Sequence, residues 1–145
     1  MRYLLLILAL LGGCATPPAP EPTETKPEQP AVVPAPQAKQ ENIAIAGLMD
    51  SARAEAAAGN FAGAAASLER ALRIEPRNPR LWHELARVRL KQGQHAQAES
   101  VAARSNSWAG EDKALRAENW RLIAQSREAR GDSEGAKAAL ESANR

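Results

Sequence analysis

The residues that could do chemistry are few. The chain has one cysteine, Cys14, and two histidines, His83 and His95, and neither histidine has a cysteine or carboxylate at metal-ligand spacing. No glycine-rich phosphate loop, zinc pattern or nucleophile elbow occurs, and one cysteine cannot form a disulfide within the chain. Three carboxylates lie among arginines, where solvated ion pairs explain them: Glu84, Glu118 and Glu128. We therefore expect no enzymatic activity, no metal and no cofactor.

The cysteine ends a stretch with the composition of an export signal. Met1-Arg2 gives a positive end, Tyr3 to Leu11 is apolar, and Gly12-Gly13 precedes Cys14. A charged start, a short apolar core and small residues before a cleavage point are typical of a secretory signal peptide. The apolar run has about half of the roughly 20 residues that a membrane-spanning helix needs.

Leu11-Gly12-Gly13-Cys14 resembles the bacterial lipobox. The resemblance implies that residues 1–13 are removed and that Cys14 is lipidated with a diacylglyceryl group and a further acyl chain such as palmitate. Stable anchoring needs more than one chain, since each buried CH2 contributes about 0.8 kcal/mol. By analogy with the sorting of Gram-negative lipoproteins, Ala15 favours an outer-membrane protein facing the periplasm. The alternative is an ordinary secretory signal that leaves a free thiol.

Residues 14–42 form a predicted tether. The 28 residues from Ala15 to Asn42 contain eight of the ten prolines and, as large apolar residues before the domain, only Val32 and Val33. Proline removes backbone donors and little can be buried, so we expect a disordered, extended segment. Its reach is roughly 90 Å as polyproline II, against about 30 Å as a flexible coil. A ligand for a proline-recognising domain is the alternative, supported by composition alone.

Beyond residue 42 alanine dominates, which favours helices. Gly59, Gly93 and Gly131 mark a repeat, spaced by 34 and then 38 residues. Eleven residues before each glycine stands a large apolar residue, and seven before and five after stand alanines. These positions are Leu48, Trp82 and Trp120; Ala52, Ala86 and Ala124; and Ala64, Ala98 and Ala136.

This pattern resembles the tetratricopeptide repeat, which has a period of 34. The resemblance implies an all-α fold, a short solenoid of three helix-turn-helix repeats over residues 43–145. The third repeat carries an insertion of four residues, Arg89 and Arg127 replace the family's tyrosine, and Gly110 replaces its closing proline. We predict helices over 43–58, 61–74, 79–92, 95–107, 112–130 and 133–144. Glycines in the left-handed conformation should end the first helices, while Pro79 and Asp132-Ser133 should open later ones.

In this family the first helix of each repeat lines the concave face. Carrying over the groove positions gives three sets: Met49 and Arg53; Arg80, His83, Arg87 and Lys91; and Glu118, Arg121, Gln125 and Glu128. The second set is basic and falls on one helix face. We therefore predict partner binding by Arg53, Arg80, His83, Arg87, Lys91 and Arg121, against the alternative of a merely solvated face. Trp108 lies in the insertion and is either a second binding anchor or cover for a repeat interface.

The second set, Arg80, His83, Arg87 and Lys91, forms a basic stripe. The excess of positive charge is local to this stripe, because residues after 42 as a whole hold 16 Lys and Arg against 13 Asp and Glu. An acidic protein surface is a better partner than nucleic acid, which a secreted, nearly neutral protein does not meet. The layout of lipid, tether and repeats is similar to LpoP-type outer-membrane lipoproteins. The resemblance implies a non-enzymatic activator of a class A penicillin-binding protein in peptidoglycan synthesis and cell shape. A pilotin-like lipoprotein, a scaffold for other envelope proteins such as peptidoglycan hydrolases, and a metal- or substrate-binding enzyme are the alternatives.

Overall fold

The computed structural model describes residues 35–145, with side chains from Ile43 onward. Cys14 and most of the predicted tether therefore lie outside the described residues. The helices are α1 (Ala35–Ala57), α2 (Phe61–Ile74), α3 (Pro79–Lys91), α4 (His95–Trp108), α5 (Lys113–Glu128) and α6 (Ser133–Ala143). They pair as three successive helical hairpins, and each hairpin packs on the next. The predicted all-α tetratricopeptide solenoid is confirmed.

Helix α1 begins eight residues before its predicted start, inside the stretch predicted to be tether. Its second residue is Pro36. Proline is tolerated in the first turn of a helix, where the backbone N–H has no intrahelical acceptor to lose. The segment from Ala35 to Asn42 has no other proline, so the helix can continue through it.

Each hairpin turns at a glycine in the left-handed conformation, as predicted. The φ angles of Gly59, Gly93 and Gly131 are +77°, +73° and +79°, a region that costs a residue with a Cβ free energy. The next helix then begins at a polar cap in two of the three hairpins. The Asn60 and Asp132 side chains accept hydrogen bonds from the backbone N–H of Gly63 (3.0 Å) and Gly135 (2.9 Å).

Small residues let the helices approach closely. Ala64, Ala86, Ala98 and Ala102 are completely buried, so we expect a larger side chain at any of them to overpack the helix crossing. Two apolar clusters result. One joins the first hairpin to α3 and the other joins the second hairpin to the third.

The two arginines that replace the family's tyrosine connect successive hairpins. Arg89 of α3 forms an ion pair with Glu69 of α2. Arg127 of α5 donates from Nε to Glu99 of α4 (2.8 Å) and from Nη1 to the backbone oxygen of Gly135 (3.1 Å). Charge-assisted hydrogen bonds from a planar guanidinium thus link helices at these positions.

Within the described part of the chain, none of the helices combines the length and the apolar character required to cross a lipid bilayer.

Candidate partner-binding groove

A concave groove with a volume of about 310 Å³ lies between α1 and α3, with α2 at its base. Its floor is apolar and comes from all three helices: Met49, Ala52, Ala56, Ala57, Phe61, Leu68 and Val88. The small residues of α1 leave room that a large side chain at those positions would fill. The groove can therefore accept apolar side chains from a partner.

The rim of the groove carries three cations, Arg53, Arg87 and Lys91, against one carboxylate, Glu84. Arg53 pairs with Asp50 (3.0 Å) and Arg87 with Glu84 (3.2 Å), each one turn away on its own helix. Exposed pairs of this kind contribute little to stability, so a partner's carboxylate can compete for both guanidinium groups. Within the described residues Lys91 forms no ion pair. A positive rim over an apolar floor fits a segment that carries both apolar and acidic side chains.

Three of the predicted partner-binding residues, Arg53, Arg87 and Lys91, thus meet at one groove although they come from two helices. Met49, also predicted for the concave face, lies in the floor. The sequence interpretation missed the contribution of Phe61 and Val88. For Val88 the signal was helical spacing, since it follows Glu84 by one turn of α3. For Phe61 the signal was its position as the first residue of α2, directly after the turn.

His83 is a correction to the predicted stripe, because it is buried and does not lie on the exposed face (8% exposed). Its Nδ1 lies 2.8 Å from Oδ1 of Asn119. The amide nitrogen of Asn119 already donates to Ser105 (2.7 Å) and Asn106 (2.9 Å). Asn119 can therefore only accept from His83, which fixes the proton on Nδ1. The other ring nitrogen faces Glu118 at 3.6 Å.

This buried polar network connects α3, α4 and α5. Ser105, which receives the Asn119 amide, donates in turn to the backbone oxygen of Pro79 at the start of α3 (2.7 Å). Asn119 and Ser105 are completely buried, and buried polar groups require such partners. The sequence interpretation did not identify this network. Its signal was Asn119 itself, spaced by one turn from the apolar residues Leu115 and Ile123 on the buried face of α5.

The remaining predicted contact residues lie away from the groove. Arg80, at the opposite end of α3 from Lys91, pairs with the α5 cap residue Asp112 (3.3 Å). Arg121 is exposed on α5. Trp108 ends α4 with 40% of its surface exposed, and the guanidinium of Arg77 lies 5.3 Å from its ring centroid. Trp108 is therefore partly exposed, and its role as a binding anchor stays a prediction.

Among the described residues, no group of three or more His, Cys, Asp or Glu side chains is placed to hold a metal ion. The groove offers cations and apolar surface.

Comparisons with known proteins agree with this architecture. A family model described as "Tetratricopeptide repeat" matches residues 55–125. Among solved structures, the globular C-terminal domain of P. aeruginosa LpoP is similar. It shares 48% sequence identity over 70% of this chain and 95% of that chain, with a TM-score of 0.69. None of the curated proteins with which the chain was compared matches it.

Proposed function

The chain belongs to the family of LpoP-like tetratricopeptide-repeat proteins, and from that membership we propose that it binds and activates a class A penicillin-binding protein. The similarity to the LpoP globular domain carries this proposal. That similarity covers 95% of the LpoP domain and 70% of this chain.

The chain acts without chemistry of its own. A binding domain activates a synthase when it binds the active conformation more tightly than the inactive one, which shifts the population toward the active state. The repeats supply that binding energy. Lipid at Cys14 holds the protein at the outer membrane, facing the periplasm, and the tether lets the repeats reach a synthase across the peptidoglycan layer.

The groove between α1 and α3 is the contact site. Binding energy concentrates near the centre of an interface, often on arginine. Arg87 lies in the rim beside the apolar floor, and 58% of its side chain is accessible. Its planar guanidinium can pair with a carboxylate through two hydrogen bonds. The segment that it recognises is an acidic part of the synthase with an apolar residue next to the carboxylate.

The substitution Arg87→Glu tests the site, because it removes an attraction and adds a repulsion. We expect binding to weaken by about 2 kcal/mol or more, roughly 30-fold. The assay is lipid II polymerisation by the purified synthase, with the full chain added in detergent. The matched control is Arg70→Glu, which makes the same charge change at an exposed position of α2 outside the groove.

Wild type and Arg70→Glu should raise the polymerisation rate at the same protein concentration, and Arg87→Glu should require far more protein. If wild type leaves the rate unchanged, the activator proposal fails, and a scaffold for other envelope proteins becomes the function to test. If all three proteins activate equally, the chain is an activator but the groove is not the contact site.

A further inference from the structure

A second surface lies outside the groove, where the α2–α3 loop meets α4. It combines arginines with exposed apolar side chains, and we call it the Arg–Trp patch. Its members are Arg73, Ile74, Arg77, Trp82, Arg104 and Trp108, since Arg73 shares a surface cavity with Trp82 and Ile74 shares one with Arg77. None of them lines the groove, so the patch is available when the groove is occupied.

The patch is held together by a ring of contacts. The indole N–H of Trp82 donates to the backbone oxygen of Pro76 in the loop (2.8 Å). The Arg104 guanidinium lies 5.3 Å from the Trp82 ring centroid. Trp108 follows Arg104 by one turn of α4, on the same face. The guanidinium of Arg77, which belongs to the α2–α3 loop, lies over the Trp108 ring and closes the ring of contacts. Two arginine–tryptophan pairs therefore sit side by side.

The charge of the patch is not neutralised within the described residues. Arg73, Arg77 and Arg104 are exposed, and none of them forms an ion pair there. By contrast, Arg89 and Arg127 each have a carboxylate partner. The nearest carboxylate in the loop, Glu75, accepts a hydrogen bond from Asn78 (2.7 Å). The patch therefore presents three guanidinium groups for an anionic ligand.

Apolar surface accompanies this charge. Trp108 is 40% exposed and Ile74 is 38% exposed, two of the four large apolar residues that the described chain leaves exposed. Tryptophan is enriched at the level of lipid headgroups, because its ring is apolar and its N–H is polar. Arginines around it can pair with phosphates while their methylene stems cover apolar surface.

We propose that the Arg–Trp patch binds the headgroup layer of a membrane that contains anionic phospholipid. Charge complementarity favours this ligand over a neutral surface. The predicted lipid at Cys14 and a predicted tether of 20 residues before α1 (15–34) favour it over a second protein, because they keep a membrane at high effective concentration. The patch then holds the repeats against a bilayer, which is a role separate from synthase activation.

Vesicle binding tests the proposal. The protein is the chain from residue 14 onward with Cys14→Ser, which keeps the tether and all the helices but carries no lipid. It is sedimented with vesicles of phosphatidylethanolamine with or without phosphatidylglycerol. We expect binding only when phosphatidylglycerol is present, weaker at high salt, with a blue shift of the tryptophan emission.

The decisive variant is Arg77→Ala with Arg104→Ala. Each arginine near an anionic surface contributes about fivefold, so binding should fall on the order of tenfold or more. The control Arg53→Ala with Arg87→Ala removes the same charge from the groove and should change vesicle binding less than about twofold. Circular dichroism verifies that both variants are folded.

Three results would overturn the proposal. They are equal losses for patch and groove variants, equal binding to vesicles without phosphatidylglycerol, and unchanged binding of the patch variant. The synthase assay separates this proposal from the previous one, because the patch variant should activate the synthase as wild type does. If the patch variant fails to activate the synthase and the wild-type protein does not bind vesicles, the patch is a protein-binding surface.

Discussion

Replacing Asn119 by alanine should destabilise the repeats more than any change to an exposed asparagine. The side chain is completely buried and accepts one hydrogen bond, from His83, while it donates two, to Ser105 and Asn106. Alanine leaves the ring N–H of His83 and the amide oxygen of Asn106 without those partners. Each such orphaned group costs about 1–3 kcal/mol. Ser105 loses less, because its hydroxyl still donates to Pro79.

The expected loss is about 3 kcal/mol, since the His83 ring can recover part of the cost by turning toward Glu118. A domain of this size has a free energy of unfolding of roughly 5–15 kcal/mol, so the variant should still fold. Its midpoint of thermal unfolding should fall by about 10 °C or more. Circular dichroism melts and urea titrations of the chain measure both quantities.

The control is Asn144→Ala, an exposed asparagine after α6, which should stay within about 0.5 kcal/mol of wild type. A double-mutant cycle with His83→Ala then isolates the pair. Once His83 is gone, removing Asn119 orphans one group fewer, so the two losses should not add, with a coupling of about 1 kcal/mol or more. A loss for Asn119→Ala below 0.5 kcal/mol, about the size of the control, or strict additivity, would refute the role given to the network.

Two further predictions concern a completely buried alanine and the predicted lipidation site. Ala86→Leu adds three carbons to a site with no exposed surface, so overpacking should cost about 1–3 kcal/mol, and an unchanged thermal melt would contradict the close helix approach. Cys14→Ser removes the thiol that a lipid would modify, so the variant should be missing from the outer-membrane fraction. Mass spectrometry of the wild-type N-terminus that finds a bare thiol would show that Cys14 is not the anchor.

The helices could be predicted from sequence because their determinants are local. The turn glycines need only their own φ angles, Asp132 caps the helix that follows it, and alanines repeat at fixed spacing. The start of α1 was predicted eight residues too late, because a local rule about proline was applied too broadly. Prolines up to Pro36 were taken to exclude helix through residue 42, yet proline is compatible with a first turn.

The groove was predicted in part. Helical spacing placed Arg87 and Lys91 on one face of α3, and the family resemblance added Arg53 from α1. That α1 and α3 bring all three around an apolar floor is a result of packing. The family's groove positions also assigned His83 to that face, in agreement with its spacing of four residues before Arg87.

The sequence by itself determined the repeat, the helices and the excess of cations on α3, since each depends on residues within a few turns of one another. Only the tertiary structure decided which side chains of the predicted partner-binding set remain accessible. His83 is buried because Asn119, 36 residues further along the chain, meets it from α5. Trp108 stays partly exposed, with Arg77 of the α2–α3 loop over its ring. Contacts between residues distant in sequence fix both outcomes, and the local pattern of a helix does not specify which distant residue will pack against it.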